Sequence, residues 1–386
     1  MKTVIAIDSF KGSLSAQEAG KAVADGIRKA DPKADIQVFP IADGGEGTVH
    51  SLILGMGAAE EWVTVTGPLG EPRKCRYGRL NGREVILEMA EAAGLTLVPE
   101  ESRNPLYTST YGVGEMIRCA ILAGYRNFIV GIGGSATNDG GVGMLQALGY
   151  EFLDKEGKEI AKGAIGLESL AFIKDENVLP ELKECHFKVA CDVTNPLCGE
   201  KGCSAVYGPQ KGATPQMIKD MDEWLSRFAA LTKEKYPDAD EFCPGSGAAG
   251  GLGFAFLAYT NACLQSGIEI VMEVTGIEKA IRGADLVITG EGRLDRQTVM
   301  GKAPVGVAGI AKKYGKAVAA LGGSVSEEAR FCNEKGIDAF FSILRGPATL
   351  EEAMQKEAAK KNMEATAEQV YRLFAAARKF SNGNKQ

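Results

Sequence analysis

Acids and glycines recur together along this chain, in short blocks whose residue types suit the handling of phosphate. Asp8 and Ser9 are followed by Lys11, "ADGGEGT" holds Asp43 and Glu46, and "TGEGRLD" holds Glu291, Arg293 and Asp295. The stretch "GIGGSATNDGGVG", Gly131 to Gly143, sets Ser135, Thr137 and Asn138 among glycines such as Gly133 and Gly134. "DVTNPLCG" then gives Asp192, Thr194 and Asn195, "YGPQKGAT" gives Lys211, and "GSGAAGGLG" (Gly245–Gly253) is a second glycine loop containing Gly250 and Gly251. Glycine lets backbone N–H groups approach phosphate oxygens, and a helix starting behind such a loop adds its free N–H groups and dipole. Mg2+ needs one or two carboxylates beside the phosphates it neutralises. One such block alone reads equally well as a tight turn or a helix cap. Their recurrence is the parts list of Mg2+-dependent phosphoryl transfer.

What is missing narrows the chemistry. No G-x-x-x-x-G-K-[ST] occurs, which excludes a conventional P-loop. Gly245 to Gly250 matches G-x-G-x-x-G, but it follows "EFCP" and not a strand, so it is a weak dinucleotide signal. Two histidines, His50 and His186, leave little room for a catalytic triad or a zinc site.

The acids need elements that bring them together. "TVIAID" and "DIQVFPIAD" read as apolar strands around a helix that Ser15 and Glu18 open as a capping box. "ADLVITGEG", "KAVAALGGS" and "DAFFSIL" repeat the alternation near the other end, and Thr349 with Glu352 caps a long final helix. Strand–helix alternation at both ends predicts an α/β fold: a Rossmann-like parallel-sheet domain built from both termini, residues 1–58 plus 265–386. The centre differs. "EWVTVTG", "RKCRYGRL", an Asn81-Gly82 turn and "REVILEMA" read as antiparallel strands with a hairpin, and a helix opens at Thr214-Pro215. Residues 59–264 are therefore expected to form an inserted mixed α/β domain carrying the glycine-rich loops. In an open parallel sheet, ligands sit outside the carboxyl ends of the strands, where Asp8, Asp43 and Glu291 fall.

Composition bounds the setting. The chain has 386 residues, 45% hydrophobic and 24% charged, with a net charge of −6. That balance argues against a sequence-independent grip on nucleic acid. The longest apolar stretch, "FAFLAYTNACL" from Phe254, has the length of a core helix and not of a membrane span. Nine cysteines without a C-x-x-C pair suit a reducing cytoplasm.

At these same residues the sequence resembles the bacterial glycerate kinase family of the two-domain, non-P-loop type. The match runs through "DSFKGSLSA", "ADGGEGT", "GPLG", "MAEAAGL", "GIGGSATNDGG", "DVTNPLCG", "YGPQKGA", "GSGAAGGLG" and "TGEGRLDRQT", ending in "GKAPVGVA". The resemblance implies ATP-dependent phosphorylation of D-glycerate in an interdomain cleft; whether the chain forms homo-oligomers is open.

On that reading the glycine loops, with Gly133, Gly134, Ser135, Thr137, Asn138, Gly250 and Gly251, hold ATP. Two anions side by side require cations, for which Lys11, Arg293 and Lys211 are the candidates, with Asp8 and Ser9 beside the substrate. A carboxylate must orient the attacking hydroxyl and take its proton. Asp192 and Asp43 are the candidates there, and Glu291 and Asp295 are those for Mg2+. Two rival functions remain: a nicotinamide-dependent hydroxy-acid dehydrogenase, which would use the Gly245 to Gly250 pattern, and a non-catalytic sugar-acid binding protein, which would need no metal carboxylates. Whether the 2- or the 3-hydroxyl receives the phosphate is open.

Overall fold

The structure, a computed structural model, describes residues 1–41, 59–80, 82–300 and 302–383. Asp43, Glu46, His50 and Asn81 lie outside the described residues. Along the chain the strands are β1 (Lys2–Ile7), β2 (Asp35–Pro40), β3 (Ala59–Thr66), β4 (Pro72–Arg79), β5 (Glu84–Glu88), β6 (Asn127–Gly131), β7 (Glu151–Leu153), β8 (Phe172–Lys174), β9 (His186–Ala190), β10 (Ala262–Gln265), β11 (Leu286–Leu294), β12 (Ala317–Val325) and β13 (Ala339–Ser342). The described residues fall into two compact units, one taking 1–41 with 271–383 and the other 59–270.

The first unit is a five-stranded sheet in the order β13-β12-β11-β1-β2, every pair parallel. Val4 to Ile7 of β1 are fully buried, as expected where both faces of a parallel sheet are covered. Helix Ala16–Ala30 covers one face, opened by the Ser15–Glu18 capping box, and its Val23 and Ile27 join Met363 and Val370 of helix Lys356–Gly383 in the core. Ile7 stands opposite Gly290, and the Asp8 N–H donates to the Gly290 carbonyl. That register brings Asp8 and Glu291 to neighbouring strand ends.

The second unit holds a six-stranded mixed sheet, β10-β9-β6-β5-β4-β3, and a small β7-β8 hairpin. Antiparallel β3, β4 and β5 form the meander read from the sequence, while β5, β6, β9 and β10 run parallel. Phe128 and Phe187 stack on neighbouring strands at 4.8 Å, and Phe228, Phe254 and Phe256 complete an aromatic core.

Two expectations about helices are corrected. The apolar stretch from Phe254 is not one helix: it ends at Tyr259, and Ala262–Gln265 is strand β10. Asn261 makes the break, its side chain donating to the carbonyls of Lys183 and Cys185 while its own carbonyl receives the Phe187 N–H. Nor does Thr349 cap the final helix. It caps the short helix Leu350–Met354, and extended backbone at Gln355 separates that from the 28-residue helix Lys356–Gly383. Among the described residues no helix is long and apolar enough to cross a membrane.

Candidate active site

The carboxyl edge of the first sheet opens into a cavity of about 540 Å³. Asp8 and Ser9 reach it from the end of β1, Phe10, Lys11 and Ser13 from the turn that follows, Glu291 and Arg293 from β11, and Gly323 and Ser324 from β12. Lys302 faces the same space from the start of helix Ala303–Lys313. Glu291 is buried and held on both oxygens: the Thr298 hydroxyl donates to Oε1, and the Lys302 ammonium lies 3.4 Å from Oε2. A buried carboxylate needs such partners, because desolvation without them costs several kcal/mol (about 3–5 when one partner is removed). Arg293 is 69% exposed and pairs with Asp295 at 3.3 Å, a contact worth at most about 1 kcal/mol in solvent. Asp295 itself accepts the Gln297 N–H as the cap of helix Arg296–Val299. Strand pairing thus gathers Asp8, Ser9, Lys11, Glu291 and Arg293, and leaves Asp295 behind them as a cap.

At the parallel edge of the second sheet, the loop leaving β6 has the same composition but a different fate. Its open end is Gly133, half-buried, and Gly134, exposed; Ser135, Thr137, Asn138 and Asp139 are buried. Asp139 accepts the N–H and hydroxyl of Thr110 and the N–H groups of Gly141 and Gly143. The start of helix Val142–Ala147, expected to meet phosphate, is therefore filled by the chain's own carboxylate. Burial pushes the Asp139 carboxyl up, and these hydrogen bonds oppose the shift. Lys211 is equally enclosed and donates to Ser135 Oγ and the Thr137 carbonyl. Burial pushes its ammonium down to about 8, against the opposing pull of Cys203 and Asp139. Lys211, a candidate cation for the substrate, is enclosed here and braces the glycine loop from within.

The second glycine loop packs on the first. Gly140 donates its N–H to the Gly250 carbonyl, and a Cβ on Gly250 would sit 2.1 Å from the Thr137 carbonyl oxygen. Ala249, Gly250 and Gly251 are all left-handed, and Ala249 is the only such non-glycine among the described residues. Close packing therefore accounts for Gly250 and Gly251. No strand precedes Gly245 either; residues 236–247 form turns, so the dinucleotide pattern lacks its context. Asp192 is exposed just past β9, with Oδ1 accepting the Gly267 N–H at the start of helix Gly267–Thr275.

Lys302, Thr298 and Asp139 were not singled out from sequence. Lys302 carried a usable signal, a lysine immediately before an Ala303-Pro304 helix start. Asp139 had one too, an acid before two glycines, where a side chain caps a turn.

Both edges belong to a recognisable lineage, because the family model described as "Glycerate kinase family" matches residues 3–375. The chain belongs to the glycerate kinase family. It is 48% identical over 371 residues to a Bacillus subtilis (strain 168) protein named glycerate kinase, covering 96% of this chain and 97% of that one. It is 48% identical to the glycerate 2-kinase of Escherichia coli (strain K12), covering 92% and 93%. A solved structure from Salmonella typhimurium LT2, described as a candidate glycerate kinase 2, superposes with a TM-score of 0.89 at 47% identity, covering 98% of this chain and 99% of that one. Glycerate kinase family membership makes the chain a phosphotransferase with ATP as donor and a small molecule as acceptor.

Proposed function

We propose that the chain transfers the γ-phosphoryl group of ATP to the 2-hydroxyl of D-glycerate. The observation that carries this reading is the 48% identity, over nearly the full length of both chains, with the relative named glycerate 2-kinase. The first-unit cavity supports it, since Lys11, Arg293 and Lys302 can offset the charge of anionic ligands there.

Mg2+ fits the donors present. Among the described residues no group of three or more acids, histidines or cysteines is preassembled, and Mg2+ asks for only one or two carboxylates with phosphate and water. Glu291 and Asp8 would hold it, and the ion would neutralise charge on the phosphates. Asp192 is the proton acceptor for the attacking hydroxyl in this proposal. Asp192→Asn should keep the cap on Gly267, because asparagine caps as well as aspartate. Stability should stay within about 0.5 kcal/mol while kcat falls roughly 10²-fold, the scale of one lost electrostatic contact. Near-normal turnover would remove Asp192 from the chemistry.

A coupled assay for ADP release with D-glycerate, with and without Mg2+, tests the function, and phosphorus NMR of the product tests the position. The expected product is 2-phosphoglycerate. ADP release that ignores D-glycerate would overturn the reading, and 3-phosphoglycerate would overturn the assignment of the hydroxyl.

A further inference from the structure

The first-unit cavity is much larger than D-glycerate requires. Its volume of about 540 Å³ compares with on the order of 100 Å³ for a three-carbon acid, judged against about 30 Å³ per water in the liquid.

Its lining is also of two kinds. Three cations, Lys11, Arg293 and Lys302, stand with two carboxylates, Asp8 and Glu291. Beside them are large apolar side chains, Ile343 and Leu344 just past β13 and Leu350 and Met354 from the short helix. Leu344, Leu350 and Met354 are 38%, 76% and 37% exposed, and exposed apolar side chains around a cavity suit a ligand surface. D-glycerate, a carboxylate with two hydroxyls, offers no surface to match it. Of the two molecules this kinase handles, only ATP joins a flat apolar ring to a run of negative charge.

The wall is also held in place. Thr349 and Glu352 cap the short helix at its start, and just past its end Lys356 pairs with Glu18 of helix Ala16–Ala30 at 2.5 Å. Met354 lies over the turn that carries Lys11, its Cε 2.5 Å from where a Cβ on Gly12 would be. The chain steps from β1 to one side of the sheet and from β11 to the other, and the cavity opens at that reversal, where doubly wound sheets bind nucleotides.

We propose that this cavity is the nucleotide pocket, its apolar side chains taking the purine of ATP and its cations the phosphates. The inference rests on the kinase reading above and adds to it by placing ATP, and not D-glycerate, against the first sheet.

Calorimetric titration of the full chain with ADP, adenosine, inorganic tripolyphosphate and D-glycerate tests it. Leu350→Asp and Leu344→Asp should each weaken ADP and adenosine binding about tenfold, the loss of one apolar contact, and leave tripolyphosphate and D-glycerate within about twofold. Lys302→Gln should do the reverse, weakening ADP and tripolyphosphate and sparing adenosine. Leu373→Ala, an exposed apolar truncation on helix Lys356–Gly383, is the control and should change none of the four. Unchanged ADP affinity in both aspartate variants would overturn the proposal, as would a fall in D-glycerate affinity in place of ADP. Failure of the kinase reading shows separately, as wild-type protein that binds ADP yet consumes no ATP with D-glycerate.

Discussion

Glu291 and Asp139 are both buried carboxylates beside glycines near the carboxyl ends of parallel strands, and both have hydroxyl partners. Glu291 faces a cavity and shares it with Asp8, Lys11, Arg293 and Lys302. Asp139 spends its lone pairs on Thr110, Gly141 and Gly143, in a loop braced by Lys211 and covered by Gly250. Identical residue types are therefore placed differently: in the first unit they line a cavity, and in the second they are enclosed among one another. A buried polar group must find partners somewhere; Glu291 finds them in Thr298 and Lys302 while still lining a cavity, whereas Asp139 is closed off inside its loop.

Asp139→Ala should have the largest effect. It leaves several buried donors without an acceptor, so urea unfolding should show a loss of about 3–5 kcal/mol. Stability close to wild type would erase the contrast between the two edges. Glu291→Gln should do the opposite, holding stability within about 1 kcal/mol while kcat falls roughly 10²–10³-fold. A stability loss with normal turnover would make the first edge scaffold as well.

Lys211 gives a pH readout of the braced loop. Its ammonium is pushed from 10.5 down to about 8 in the folded protein, so between those values the unfolded chain binds more protons than the native one. Stability from this group should then rise as pH increases from 8 to 10.5, and the penalty is fully present below 8. The difference between wild type and Lys211→Met, followed by denaturation across that window, should carry this slope; a flat difference would mean the lysine is solvated. The smallest effect belongs to Ala249→Gly, which relieves the left-handed backbone at Ala249 and should add about 0.5 kcal/mol of stability. Destabilisation there would show that the methyl group packs usefully against the first loop.

Much of this was legible along the chain. Alternating strands and helices at both termini gave the parallel sheet, because β1 and β11 are apolar on both faces and their acids fall just where the apolar run stops. The resemblance carried by the ordered blocks gave the family. Local signals failed where long-range partners decided: Asn261 ends a helix by bonding to carbonyls 78 and 76 residues away, which no window around Phe254 contains.

The sequence by itself determined the lineage, the two kinds of sheet and the set of acids, glycines and cations at strand ends. It did so because apolar periodicity and ordered motifs are local properties of the chain. Only the tertiary structure decided which of those groups face a cavity. Lys211 is buried by contacts with Ser135 and Thr137, 76 and 74 residues away, and Leu350 and Met354 reach the Lys11 turn from the far end of the chain. Burial is set by what packs on top of a residue, and that covering arrives from distant sequence.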